Sequence, residues 1–181
     1  MRKLILLACV CAVAATPAGA ARASDPEAGS LSIERGKGTV TLDVRGNVLG
    51  RLTNGSITVT DKTPNDAYVA TVTGRKILVQ RRPVPTKTFV RGLGLRFRML
   101  GGSYRIVIRG QGISLSAVGR GNVSIDGEPK FFGDDLGLYS VDSDVDCGIE
   151  PQSCTPIPDE PVRVKLEAPA AQPGQRATNV G

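Results

Sequence analysis

Residues 95–110 read LRFRMLGGSYRIVIRG, and this stretch decides the fold class. Leu95, Phe97 and Met99 alternate with Arg96 and Arg98. Beyond Gly101 and Gly102, Tyr104, Ile106 and Ile108 alternate with Arg105, Val107 and Arg109. Successive side chains on a strand point to opposite faces, so a period of two means one buried and one solvated face. A two-residue glycine turn predicts a hairpin in which Met99 meets Tyr104, Phe97 meets Ile106 and Leu95 meets Ile108. Its other face then sets Arg98 against Arg105, with Arg96 and Arg109 beside them.

The same pattern extends outward. Val40, Leu42 and Val44 alternate with polar neighbours until Gly46, and a short strand follows over 48–53. Asn54-Gly55 is a strong hairpin signal, because both central residues of a type I′ turn need positive φ. Folding there pairs Leu52 with Ile57 and leaves Leu52, Ile57 and Val59 on one face. Residues 61–66 read as a turn, 68–73 and 76–80 as strands, and 81–94, with Pro83, Pro85, Gly92 and Gly94, as a long connection. Two further strands are expected over 138–141 and 161–166. No segment beyond the amino terminus shows a capped helical stripe. Many short strands with glycine turns predict an all-β domain over 31–166, an antiparallel β-sandwich or alternatively a small β-barrel or roll. Residues 24–30 read as a disordered lead-in, and 167–181, rich in Pro, Ala and Gly, as a disordered tail.

An internal echo accompanies this pattern. Residues 38–46 (GTVTLDVRG) resemble 102–110 (GSYRIVIRG) at an offset of 64, and 55–59 (GSITV) resemble 121–125 (GNVSI) at an offset of 66. A duplicated strand–turn–strand unit accounts for it; so does the habit of β proteins to reuse glycine-punctuated strands.

The amino terminus reads as an export signal over 1–23. Arg2 and Lys3 form a positive region, Leu4 to Ala15 an apolar one, and small residues follow. The apolar run falls short of the roughly 20 residues that span a bilayer. No later apolar run is long enough either, so no transmembrane segment is expected in the mature chain. The alanine-rich composition of the signal is of a bacterial kind, and the expected location is secreted or in the cell envelope. Loss of Arg2, Lys3 and Arg22 reduces a net charge of +6 to 20 basic against 17 acidic side chains. It also leaves two cysteines, Cys147 and Cys154. In an oxidising compartment a lone pair at this spacing predicts a disulfide, contributing roughly 2–3 kcal/mol in the chain-entropy description.

The chemistry open to the chain is restricted. There is no histidine, which removes the commonest general base and metal ligand. A carboxylate pair could still hydrolyse glycosides, but no spacing points to one. The expectation is therefore a domain that is not an enzyme. Charge is segregated along the chain: residues 67–125 hold 11 Lys and Arg and no acid, whereas 126–160 hold ten acids and one Lys. Like charges opposed on a sheet are destabilising, so Arg98 facing Arg105, with Arg96 and Arg109, predicts an anionic neighbour. That neighbour is the chain's own acidic segment folded back, or an external anion such as an envelope polymer or a protein partner; simple solvation of the arginines is the third reading. Nucleic acid is not an expected partner, since aromatic residues are not interleaved with the basic ones. Asp142, Asp144 and Asp146 resemble the start of a calcium loop, but Cys147 and Ser153 stand where such a loop needs Gly and Glu. A calcium-stabilised structural domain is the alternative this motif raises; otherwise no cofactor is expected.

Arg96-Phe97-Arg98, Gly101-Gly102, Ile108-Arg109-Gly110 and the run from Ile113 to Gly121 resemble uncharacterised secreted β-rich proteins of high-GC Gram-positive bacteria. The resemblance covers roughly residues 31–140. It implies an exported β domain and assigns no activity or site, and the acidic cysteine-bearing loop looks like an addition to its pattern. The export reading predicts that protein recovered outside the producing cell begins after Ala20 or Ala23, which intact-mass measurement checks.

Overall fold

The structure is a computed structural model that describes residues 28–83, 86–129 and 134–167. The expected signal peptide and the tail beyond Glu167 lie outside those residues. The elements are β1 (Gly29–Asp61), β2 (Thr71–Arg82), β3 (Lys87–Met99), β4 (Ser103–Gly127), β5 (Leu138–Ser140), a 3-10 turn (Pro151–Ser153), β6 (Thr155–Pro156) and β7 (Val162–Leu166). They form one antiparallel hydrogen-bonded sheet in the order β2-β3-β1-β4-β7, with β5 on β1 and β6 on β5. The all-β, sandwich-like expectation holds, and the sheet does not close into a barrel.

Two strands are long enough to fold over. Residues 38–45 of β1 pair with both 103–110 and 120–127 of β4, while 113–119 of β4 pair with both 29–36 and 46–52 of β1. Each long strand therefore crosses from one layer to the other. One layer runs β7, 120–127, 38–45, 103–110, 54–61, 87–93, 75–82. The other runs β5, 29–36, 113–119, 46–52, 95–99, 71–73. Alternate residues on both layers turn inward to a single apolar core that includes Leu31, Leu42, Ile57, Leu95, Ile106, Ile113 and Ile125.

Glycines make the crossings possible. Gly55 and Gly110 lie opposite each other, both at φ 147°, a conformation that costs a side-chain-bearing residue heavily. A Cβ on Gly55 would sit 2.0 Å from the Arg109 carbonyl oxygen, and one on Gly110 2.1 Å from that of Asn54. The two backbones bend together in near contact.

This geometry corrects four expectations. Asn54-Gly55 is not a hairpin turn: β1 continues through it to Asp61, and the positive φ serves a bend. Gly101-Gly102 is not a hairpin turn either: β3 and β4 each pair antiparallel with β1, which lies between them, and so run parallel to each other. Met99 pairs with Val48 rather than Tyr104, and Arg98 with Leu49 and Thr71 rather than Arg105. The expected connection over 81–94 is mostly strand, because Pro83 lies at the β2–β3 turn and Gly92 is accommodated within β3. Gly29 and Ser30, within the expected disordered lead-in, belong to β1, with Gly29 paired to Gly119 and Ser30 to Val118.

The echo has a structural counterpart. Leu31 opposite Ala117 is matched by Leu95 opposite Leu52, Val40 opposite Ile108 by Tyr104 opposite Val44, and Gly46 opposite Gly119 by Gly110 opposite Gly55. An approximate two-fold axis between 38–45 and 103–110 relates the two halves.

One core group is out of balance. Tyr104 is buried, and its hydroxyl has no hydrogen-bond partner among the described residues. Burial raises the pKa of this phenol, and the carboxylates of Asp61 and Asp66 push it the same way. An acid with a raised folded pKa keeps its proton longer folded than unfolded, so stability falls as pH climbs above the unfolded value of about 10.

Two outcomes follow from these contacts. Gly110→Ala should destabilise the fold by about 2 kcal/mol or more, through positive φ and the clash with Asn54; urea unfolding measures it. Tyr104→Phe should leave stability unchanged or raise it by about 1 kcal/mol, because it removes an unsatisfied hydroxyl. The variant should also lose less stability than the parent between about pH 9 and pH 11.

Candidate anion-binding surface

The outer side chains of the first layer lie in rungs across neighbouring strands. One rung reads Asp126, Thr39, Arg109, Ser56, Arg91, Leu78. Another reads Asn122, Asp43, Arg105, Thr60, Lys87, Arg82. Between them, Val107 is flanked by Thr41 and Thr58. Strands are about 4.8 Å apart and alternate residues about 7 Å apart along a strand. Arg91 and Arg109 therefore stand about 10 Å apart across Ser56, as do Arg105 and Lys87 across Thr60. Lys87 lies directly opposite Arg82.

These cations are exposed, and none of Arg82, Lys87, Arg91, Arg105 and Arg109 forms an ion pair with another described residue. The carboxylate nearest Arg105 in its rung, Asp43, accepts instead from Lys62 Nζ at 2.5 Å. Hydroxyls separate the cations along each rung. Such a face offers several basic groups and interleaved donors to one extended anion.

At one end of this face the bends of β1 and β4 leave an open polar groove of about 410 Å³, lined by Lys37, Asn54, Arg91, Gln111 and Glu128 together with the glycine backbones. Lys37 is held by an ion pair with Asp134. Arg91 is the groove's free cation among the described residues.

The structure divides the four arginines expected to act together. Arg105 and Arg109 belong to the face just described. Arg96 and Arg98 point outward from the second layer, where Arg96 lies opposite Arg51 and Arg98 opposite Leu49. Arg51 in turn reaches Glu34 at 3.4 Å. The error came from the hairpin register: a diglycine turn between two alternating strands gives no sign that a third strand lies between them. Lys87 and Arg91 do not stand out in the sequence, because Pro83, Pro85, Gly92 and Gly94 make their segment resemble a connection. Alternation of Phe89 and Arg91 with Thr88 and Val90 was the available signal.

The acidic segment divides: Asp126 shares the rung of Arg109 and Glu128 lines the groove and accepts from Thr39 Oγ1, whereas the part beyond residue 137 lies elsewhere. Its strand β5 pairs with Ser32, Ile33 and Glu34, at the edge of the second layer farthest from β2. Cys147 and Cys154 form a disulfide with Cα atoms 5.8 Å apart, and the Cys147 amide donates to Ser32 Oγ at 3.0 Å, fastening the loop to β1. None of Asp142, Asp144, Asp146, Glu150, Asp159 or Glu160 makes an ion pair with a described residue. The carboxylates of Asp142 and Asp146 accept the amides of Asp144 and Gly148, and no group of three metal ligands converges among the described residues. No described helix is long and apolar enough to cross a membrane.

No family model matches the chain, and no curated protein or solved structure does.

If the Cys147 amide and the disulfide share the work of fixing this loop, Ser32→Ala should cost about 1 kcal/mol and leave the disulfide intact. Thermal melting and thiol titration read the two effects.

Proposed function

We propose that the mature chain is an exported, non-catalytic β domain that binds an anionic polymer across the outer face of its first layer. The observation that carries this reading is Lys87 lying opposite Arg82, with Arg91, Arg105 and Arg109 on the same face and no described carboxylate paired to any of them. Opposed like charges cost up to about 1 kcal/mol on a sheet, and an external anion converts that cost into binding free energy. The hydroxyls of Ser56, Thr58 and Thr60 supply neutral donors between the cations. The disulfide accords with an oxidising compartment, where acidic envelope polymers are available ligands.

Attraction of this kind is electrostatic and rests on displaced counterions, so affinity falls steeply with salt. Dextran sulfate serves as the probe, with neutral dextran as control. Lys87→Ser, Arg91→Ser, Arg105→Ser and Arg109→Ser together should weaken dextran sulfate binding by about tenfold or more and flatten its salt dependence. Arg96→Ser with Arg98→Ser, on the opposite layer, should leave binding near the parent value. Equal losses in the two variants, or no binding by the parent in low salt, would overturn the reading.

A further inference from the structure

We infer that β2 is a docking strand for a short, extended, acidic segment of a partner polypeptide. β2 stands at the end of the strand order and pairs only with β3 among the described residues, so the hydrogen-bonding groups of its far side have no strand opposite them. An edge of this kind can accept a further strand by backbone pairing. Ile77, Leu78 and Val79, three apolar residues in succession, are 66%, 43% and 42% exposed.

The flanks state the chemistry of the occupant. Arg75 and Lys76 precede the apolar triad, and Arg81 and Arg82 follow Gln80. A second copy of this chain fits poorly. Antiparallel pairing that brings two triads into register sets Arg75 against Arg81, twice over, and each such pair is repulsive. A strand with apolar residues at its centre and carboxylates at both ends meets the flanking cations with opposite charge instead. Outside the described residues the expected mature chain offers no such segment: 24–27 read SDPE, with two acids and no apolar centre, 130–133 read KFFG, and 168–181 contain Arg176 and no acid.

The register limits the length of the partner. Irregularities between Thr73 and Arg75 and between Lys76 and Leu78 interrupt the ladder, and Leu78–Arg82 is the uninterrupted run. The bulges break a long flat edge, which guards against indefinite stacking; backbone pairing is regular along Leu78–Arg82, and Arg75 and Lys76, beyond the irregularity, add charge contacts. This site borders the anion-binding face and shares Arg82 and Leu78 with it, but it depends on backbone pairing as well as charge.

A synthetic peptide with alternating valine and threonine at its centre and two glutamates at each end tests the inference by calorimetry on the full mature chain. Binding is expected, with a loss of about tenfold or more when alternate peptide amides are N-methylated, when lysines replace the glutamates, or when the protein carries Arg75→Glu with Arg81→Glu. Circular dichroism confirms that this exposed double variant is folded, and Leu78→Lys provides a second variant with the same expectation. Arg105→Ser with Arg109→Ser should leave peptide binding unchanged, which separates this result from dextran sulfate binding. No binding, equal binding of the N-methylated peptide, or dimerisation of the protein through β2 in place of peptide binding would overturn it.

Discussion

The fold depends on close backbone approach at the bends of two long strands. Where β1 and β4 cross between layers, Gly55 and Gly110 lie against each other with positive φ, and the carbonyl oxygens of Arg109 and Asn54 occupy the space a Cβ would need. Because the bends coincide, each strand can leave one partner and meet another while its alternate residues continue to face the core. A sheet that is one network of hydrogen bonds thereby becomes two layers around one interior, with few turns and without helices among the described residues. The polar groove opens at the same place, since glycine backbones leave a surface without side chains.

Much of this was legible in the sequence. Period-two alternation identified the strands and their inward residues, and Val40, Leu42, Val44, Leu95, Phe97, Tyr104, Ile106 and Ile108 are all buried. What failed was partner assignment. A glycine with positive φ suits a tight turn and a continuous bend equally well, so Asn54-Gly55 looked like a hairpin. The parity of a strand survives a wrong partner: Phe97 points inward whether it meets Ile106 or Gly50. Local pattern thus fixes faces and leaves neighbours open, because neighbours are decided by long-range packing.

The candidate site follows from the same distinction. Arginines were recognised as outward-facing, and they are. Their grouping required knowledge of strand order, which placed Arg96 and Arg98 on one outer face and Arg105 and Arg109 on the other. Strand order also brings in Lys87 and Arg91, whose segment has the glycine and proline content of a loop. The acidic segment contributes the ion pair of Lys37 with Asp134 and sets Asp126 and Glu128 beside the basic face, while its carboxylates beyond residue 137 lie at the other edge.

The fastening of the acidic loop at Ser32 has an electrical consequence. In the second layer β5 and β2 occupy opposite edges, five strand spacings or about 24 Å apart. Four exposed carboxylates, those of Asp142, Asp144, Asp146 and Glu150, follow β5, and Arg75, Lys76, Arg81 and Arg82 lie where β2 continues as the edge of the first layer. The folded molecule therefore carries a moment directed across its strands. Near a negatively charged surface it experiences a torque as well as an attraction, so it approaches with the β2 edge foremost and its disulfide loop turned outward. Orientation is set before contact, and a modest net charge suffices to set it.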